Sequence, residues 1–161
     1  MRLLKGYLPC LFLWSALLAV LLLSCGCRTT PQNLFAVSGP GWRVQQGQAL
    51  WRPANGLPQF GGDLVFAGDT NGCSFVEFDK TPLTLVAAEI TPARWQVRFP
   101  QQQSFYAGNT PGPTRLIWLY LPAALAGKSL PSPLHFENKP DGGWRLENFQ
   151  TGETLDGFLS P

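Results

Sequence analysis

The chain of 161 residues contains a single histidine, His135, and a single methionine, Met1. A Ser-His-Asp or Cys-His arrangement would have to centre on His135. That residue lies in the strand-like stretch LHFEN (134–138), where a partly exposed strand position is the ordinary role. The cysteines number only four and no cysteine or histidine set has ligand spacing, so neither a zinc site nor any other metal is expected. Charged residues make up 14% of the chain, and no basic run exists beyond the first few residues, which removes the usual footprint of a nucleic-acid partner. The glycine pair Gly61-Gly62 follows no strand–turn–helix context, so a phosphate loop is not indicated. No cofactor is expected.

What is present begins at the N-terminus. Arg2 and Lys5 precede an apolar block from Tyr7 to Leu23, interrupted by Pro9 and Ser15. The block is about 17 residues long, the lower edge of what spans a bilayer's hydrocarbon core. A positive start, an apolar middle and then small residues follow the order of a secretory signal. Leu22-Leu23-Ser24-Cys25 resembles a bacterial lipobox: an aliphatic residue, a tolerant position, a small residue and the cysteine that receives diacylglycerol. The resemblance implies a signal peptide over residues 1–24, cut before Cys25, whose thiol and new amine carry the lipid. Cys27 fits less well, because Ser24 would then occupy the aliphatic position; an uncleaved N-terminal anchor is the other reading. In such lipoproteins an aspartate after the modified cysteine favours the inner membrane. Gly26 therefore implies the outer membrane, facing the periplasm. Two or three hydrocarbon chains suffice for stable anchoring.

Loss of the leader removes Arg2 and Lys5 and leaves ten basic and ten acidic side chains, a net charge near zero. Residues 25–40 form the lipidated N-terminus and a Pro- and Gly-containing tether, of which Leu34, Phe35 and Val37 can reach the domain at 41–161. That domain is long enough for one core. Cys27 and Cys73 remain after Cys10 leaves and Cys25 is lipidated, and they stand equally well as a periplasmic disulfide or as separate thiols.

From Gly41 onward the apolar period is two. In GWRVQQGQALW, Trp42, Val44 and Leu50 share a face, and Gly47 marks a bulge. GDLVFAGDTNGCSFVEFDK predicts strands 62–68 and 73–80 around the turn Asp69-Thr70-Asn71-Gly72, since Asn-Gly accepts positive φ. Strands 83–90 and 93–99 follow, the second with Trp95, Val97 and Phe99 opposing Arg94, Gln96 and Arg98. Residues 101–113 read as a polar, glycine-rich loop. TRLIWLYLPAALAG predicts helices at 114–120 and 122–126, with Pro122 opening the second and Gly127 ending it; a buried strand over 115–121 is the alternative. Strands 134–138, 143–149 and 154–159 complete a mainly β chain, an antiparallel meander. The recurring Trp42-Arg43-Val44, Trp95-Gln96-Val97 and Trp144-Arg145-Leu146 reflect one in–out logic rather than a sequence repeat.

Other chemistry is thin. Glu77 and Asp79 alternate onto one strand face, where an acid/base pair would sit, although solvated carboxylates are the commoner case. Cys73 has no local support as a nucleophile, and a small core residue is the simpler role. Asp69 to Gly72 lacks the remaining ligands of a calcium loop. The chain is not expected to be an enzyme.

The lipobox, the tether, the strand GWRVQQGQALWRP, the meander and the inserted segment RLIWLYLP together resemble the lipoprotein-localisation carrier and receptor family (LolA and LolB). The likeness covers the layout of residues 41–159. It implies an unclosed β-barrel whose apolar face, lidded by two short helices, receives acyl chains or lipoprotein cargo. Trp95, Val97, Phe99, Leu116, Trp118 and Leu121 are then the groove residues, with Arg94, Arg98 and Arg115 as headgroup candidates. The domain is shorter than the family's receptor, and PANGLPQF (53–60) is the only candidate for the receptor's protruding apolar loop. The competing expectation is a structural or assembly lipoprotein of the envelope, with a closed core and a protein partner.

The lipobox reading gives one direct expectation. Cys25→Ser should accumulate as an unprocessed precursor without diacylglycerol, and Cys27→Ser should be processed normally, as mass spectrometry of the membrane fraction would show; the reverse pattern would move the anchor to Cys27.

Overall fold

A computed structural model describes residues 33–37, 41–54 and 57–160. Cys25, Cys27, the leader and most of the tether lie outside the described residues. Among the described residues no helix is long and apolar enough to cross a membrane.

Nine strands form one antiparallel sheet: β1 (Arg43–Arg52), β2 (Phe60–Gly68), β3 (Ser74–Lys80), β4 (Leu83–Ile90), β5 (Arg94–Phe99), β6 (Ser104–Asn109), β7 (Leu134–Asn138), β8 (Trp144–Asn148) and β9 (Glu153–Leu159). Their order is β6-β5-β4-β3-β2-β1-β9-β8-β7. The first six strands are a meander, and the last three attach to β1 from its other side, reversing direction. The sheet does not close, since β6 and β7 are its two edges. Expected strand ends agree with these to within two residues.

Several expectations change. The loop over 101–113 contains β6, which pairs with β5 along its whole length. Its glycine, Gly108, stands opposite Trp95, whose indole occupies the space a Cβ would need, with ring atoms 2.9 Å from that position. The glycine therefore makes room for a cross-strand ring. Gly47 is not a bulge, because it pairs in register with Leu64 and Leu159 and lets the Phe158 backbone approach closely. The register shift lies at Phe78/Asp79. Finally, the helix expected over 114–120 is a single 3₁₀ turn at Ile117–Leu119, followed by a five-residue helix, α1 (Leu121–Leu125). Pro113 and Pro122 supply no N–H for a longer helical ladder.

The inner face of β1 is also the opposite of the face that Trp42, Val44 and Leu50 share. Val44 and Leu50 are 55% and 40% exposed, whereas Ala49 and Trp51 are buried. A one-residue change of register exchanges the faces of a strand, and the face turned inward here is the one that carries Trp51 into the aromatic core. Trp51 packs at 5.5 Å from the Trp118 ring and 6.2 Å from that of Phe78, and Trp118 lies 5.3 Å from Phe78. Around this trio, Leu64, Val76, Val86, Val97, Leu146 and Leu155 from the sheet meet Ile117, Leu121 and Ala124 from the segment that joins β6 to β7.

Polar bonds fix that joining segment. Asn148, fully buried on β8, donates Nδ2 to the Thr114 carbonyl at 2.9 Å and accepts Gln150 N–H on Oδ1 at 2.9 Å. The Tyr120 hydroxyl donates to the Gly112 carbonyl. On the outer face, the Leu34 N–H donates to Glu89 at 2.6 Å, and Phe35 stacks on Trp42. Leu34 and Phe35 thus touch the domain.

Trp118 is 1% exposed, yet its indole Nε1 has no hydrogen-bond partner. Its contribution is therefore ring packing. Trp118→Ala should destabilise the fold by about 3–5 kcal/mol, while Trp118→Phe should cost much less because no bond is lost; urea titration of both variants measures the difference.

Candidate functional site

The six residues expected to form an acyl groove are brought together, but most are closed off. Trp95, Val97, Phe99, Trp118 and Leu121 are between 0% and 8% exposed, and only Leu116 is half-buried. Val97 on the sheet and Trp118 and Leu121 of the 117–125 segment form interior core. Apolar clefts open instead at opposite ends of the strands. One, of about 460 Å³, lies where β2, β4 and β5 meet the segment, and is lined by Phe66, Ile90, Trp95, Leu119 and Pro122.

The other end carries two adjoining clefts that share Trp51, Pro53 and Gln102. The first, about 450 Å³, is lined by Trp51, Pro53, Leu57, Pro58, Phe60, Leu85, Gln101 and Gln102. The second, about 300 Å³, adds Phe99, Tyr106, Arg115, Leu116 and Glu153. Pro53, Leu57 and Pro58 come from PANGLPQF, and Leu57 is 54% exposed at the rim. β1 places Trp51 at the base of both clefts, stacked 6.2 Å from the Phe99 ring.

Glu153 opens β9 opposite Asn148, in a strand whose first three residues are buried. Its Oε1 accepts the Trp51 indole N–H at 2.8 Å. Burial pushes its carboxyl up to about 7, and the indole bond offsets part of that rise. Among the described residues it has no ion-pair partner. Sequence reasoning passed over Glu153 and Trp51. The available signal was a carboxylate starting a strand of apolar inward positions, with no basic residue at cross-strand spacing.

Arg94 is exposed, Arg98 pairs with Glu89 at 3.0 Å on the outer face, and Arg115 lines a cleft. Burial, then the neighbouring Asp79 carboxyl, raises the Glu77 carboxyl, and Arg98 works against them. His135 is exposed and stacks on Phe149. Cys73 makes no disulfide among the described residues, and burial together with the Asp69 carboxylate pushes its thiol up, away from nucleophilic character. Both Asp69 oxygens are engaged in the turn, accepting from Asn71 and Cys73, with Gly72 at φ +85°. Gly61 and Gly62 lie within β2. Among the described residues no three His, Cys, Asp or Glu side chains are grouped to hold a metal ion. An outer-face depression of about 640 Å³ holds Asp63, Lys139 and Asp156, but Lys139 pairs with Asp156 at 2.7 Å.

No protein-family model matches this chain, and no curated protein does either.

The Glu153 carboxyl has a pH consequence. Its folded value, about 7, lies above the ordinary 4.5, so the folded chain holds the proton more tightly than the unfolded chain. Stability on this account is greatest below pH 4.5 and falls as pH rises towards 7, and the raised Glu77 acts in the same direction. Moving from pH 8 to pH 5 should stabilise the fold by on the order of 2–3 kcal/mol. Glu153→Gln, which keeps an acceptor for Trp51, should remove most of that slope in urea titrations at the two pH values.

Proposed function

We propose that the chain is a lipid-anchored protein of the cell envelope, held by Cys25 at the outer membrane, whose domain receives an acyl chain in the clefts beside Trp51. The layout that resembles the lipoprotein-localisation carriers and receptors, an unclosed β-barrel lidded by the 114–126 segment, supports this reading. The observation that carries it is the cleft of about 450 Å³ formed by Trp51, Pro53, Leu57, Pro58, Phe60 and Leu85. Small-molecule sites occupy about 300–1,000 Å³ and combine an apolar wall with a few polar groups. From β1 to β4 the cleft crosses three strand spacings, about 14 Å. A chain that buries about eight methylenes there gains about 6 kcal/mol before ordering costs. On this reading the acyl site lies at the end of the sheet, beside Phe99 and Leu116, and not at Trp118 and Leu121.

One observation favours a second reading. Val97, Trp118 and Leu121 are closed to 0–1% exposure, as in a structural or assembly lipoprotein that meets a protein partner through its surface. A titration separates the two. Residues 28–161 should bind a fluorescent fatty acid saturably, and Leu57→Asp and Leu85→Asn should each weaken binding by about tenfold, which corresponds to about 1.4 kcal/mol, with circular dichroism unchanged. No saturable binding by the unmodified domain would leave the assembly reading.

A further inference from the structure

The cleft of about 300 Å³ next to the apolar one carries two charged side chains of opposite sign that do not meet. Glu153 is 6% exposed, and one of its oxygens accepts from Trp51. Arg115 is exposed on the same cleft, and neither residue makes an ion pair among the described residues. Two opposite charges kept apart across a cleft complement a ligand that is itself a zwitterion.

An isolated carboxyl in an apolar surround is costly unless it is paired. Phe99 and Leu116 make that surround here, and the second carboxyl oxygen, Oε2, makes no hydrogen bond among the described residues. The group that gains most from such an oxygen is a charged donor, because charge-assisted bonds are the strong ones and a low local dielectric strengthens them. A primary ammonium fits a single open oxygen. Arg115, with its planar fork of donors, suits a phosphate. The neighbouring cleft, which shares Trp51, Pro53 and Gln102, supplies an apolar wall for a hydrocarbon chain. Acyl chain, phosphate and amine occur in that order in one class of molecule.

We infer that this end of the sheet is a headgroup site for an amine-bearing phospholipid of the phosphoethanolamine type, with the ammonium on Glu153, the phosphate on Arg115 and acyl chain along Trp51, Phe60 and Leu85. This rests on the acyl reading above and adds the headgroup to it. A fatty acid would bring its carboxylate towards Glu153 and leave the ammonium position empty. A phosphoglycerol lipid would satisfy Arg115 alone.

The full chain, extracted from vesicles of equal parts phosphatidylethanolamine and phosphatidylglycerol, is examined by native mass spectrometry at pH 8. The retained lipid should be enriched about tenfold in phosphatidylethanolamine. Glu153→Gln preserves an acceptor for the Trp51 indole, so it should still retain lipid but lose the enrichment. Arg115→Ala, a surface change, should lower retention of both lipids alike. Retained lipid in vesicle proportions, or enrichment unchanged in Glu153→Gln, overturns the headgroup inference and leaves the acyl reading standing. No retained lipid on the unmodified chain overturns both.

Discussion

An open sheet with one apolar face must cover that face, and here a single crossing of the chain does so. β6 and β7 are not paired with each other, and the residues between them run over the inner face and place Trp118 against Trp51 and Phe78. Much else depends on this covering. Asn148 and Tyr120 hold the segment by its carbonyls, since a stretch with no long helix must find partners for its backbone elsewhere. The middle of the face becomes core, and among the described residues apolar clefts open at the two ends of the strands.

Those ends differ chemically. The cleft formed by Phe66, Ile90 and Trp95 has a wall of core side chains, and the Trp95 indole N–H is satisfied by the Asn109 carbonyl at 2.8 Å. At the Trp51 end the indole N–H goes to a carboxyl that makes no ion pair among the described residues, and a loop with an exposed leucine forms the rim. A buried carboxyl raised to about 7 destabilises the folded state at neutral pH. Groups kept at such a cost gather at functional sites.

Much of the fold was legible because half-buried strands write their burial as alternation. Trp95, Val97 and Phe99 opposing Arg94 and Arg98, and the Asn71-Gly72 turn, were unambiguous on that principle. β6 was not, because an edge strand with exposed Phe105, Tyr106 and Ala107 shows no apolar period, and Gly108 resembles a loop until Trp95 is placed over it. The inner face of β1 was hidden by Gly47 and Ala49, small inward residues whose companions Val44 and Leu50 point outwards. The core residues of the 114–126 segment were legible from apolarity alone. Whether that apolar surface would fill the groove or line it was not, since both need the same residue types. Glu153 gained its meaning only from Trp51, 102 positions away in the chain.

The central claim is that the 117–125 segment fills the middle of the inner face and leaves a hydrocarbon site beside Trp51. Intermolecular nuclear Overhauser contacts from a ¹³C-labelled acyl chain bound to the protein test it most directly. Contacts to Trp51, Phe60 and Leu85, with none to Val97 or Leu121, are the expected result. Contacts to Val97 and Leu121, with loss of the Trp118–Phe78 contact on binding, would contradict it.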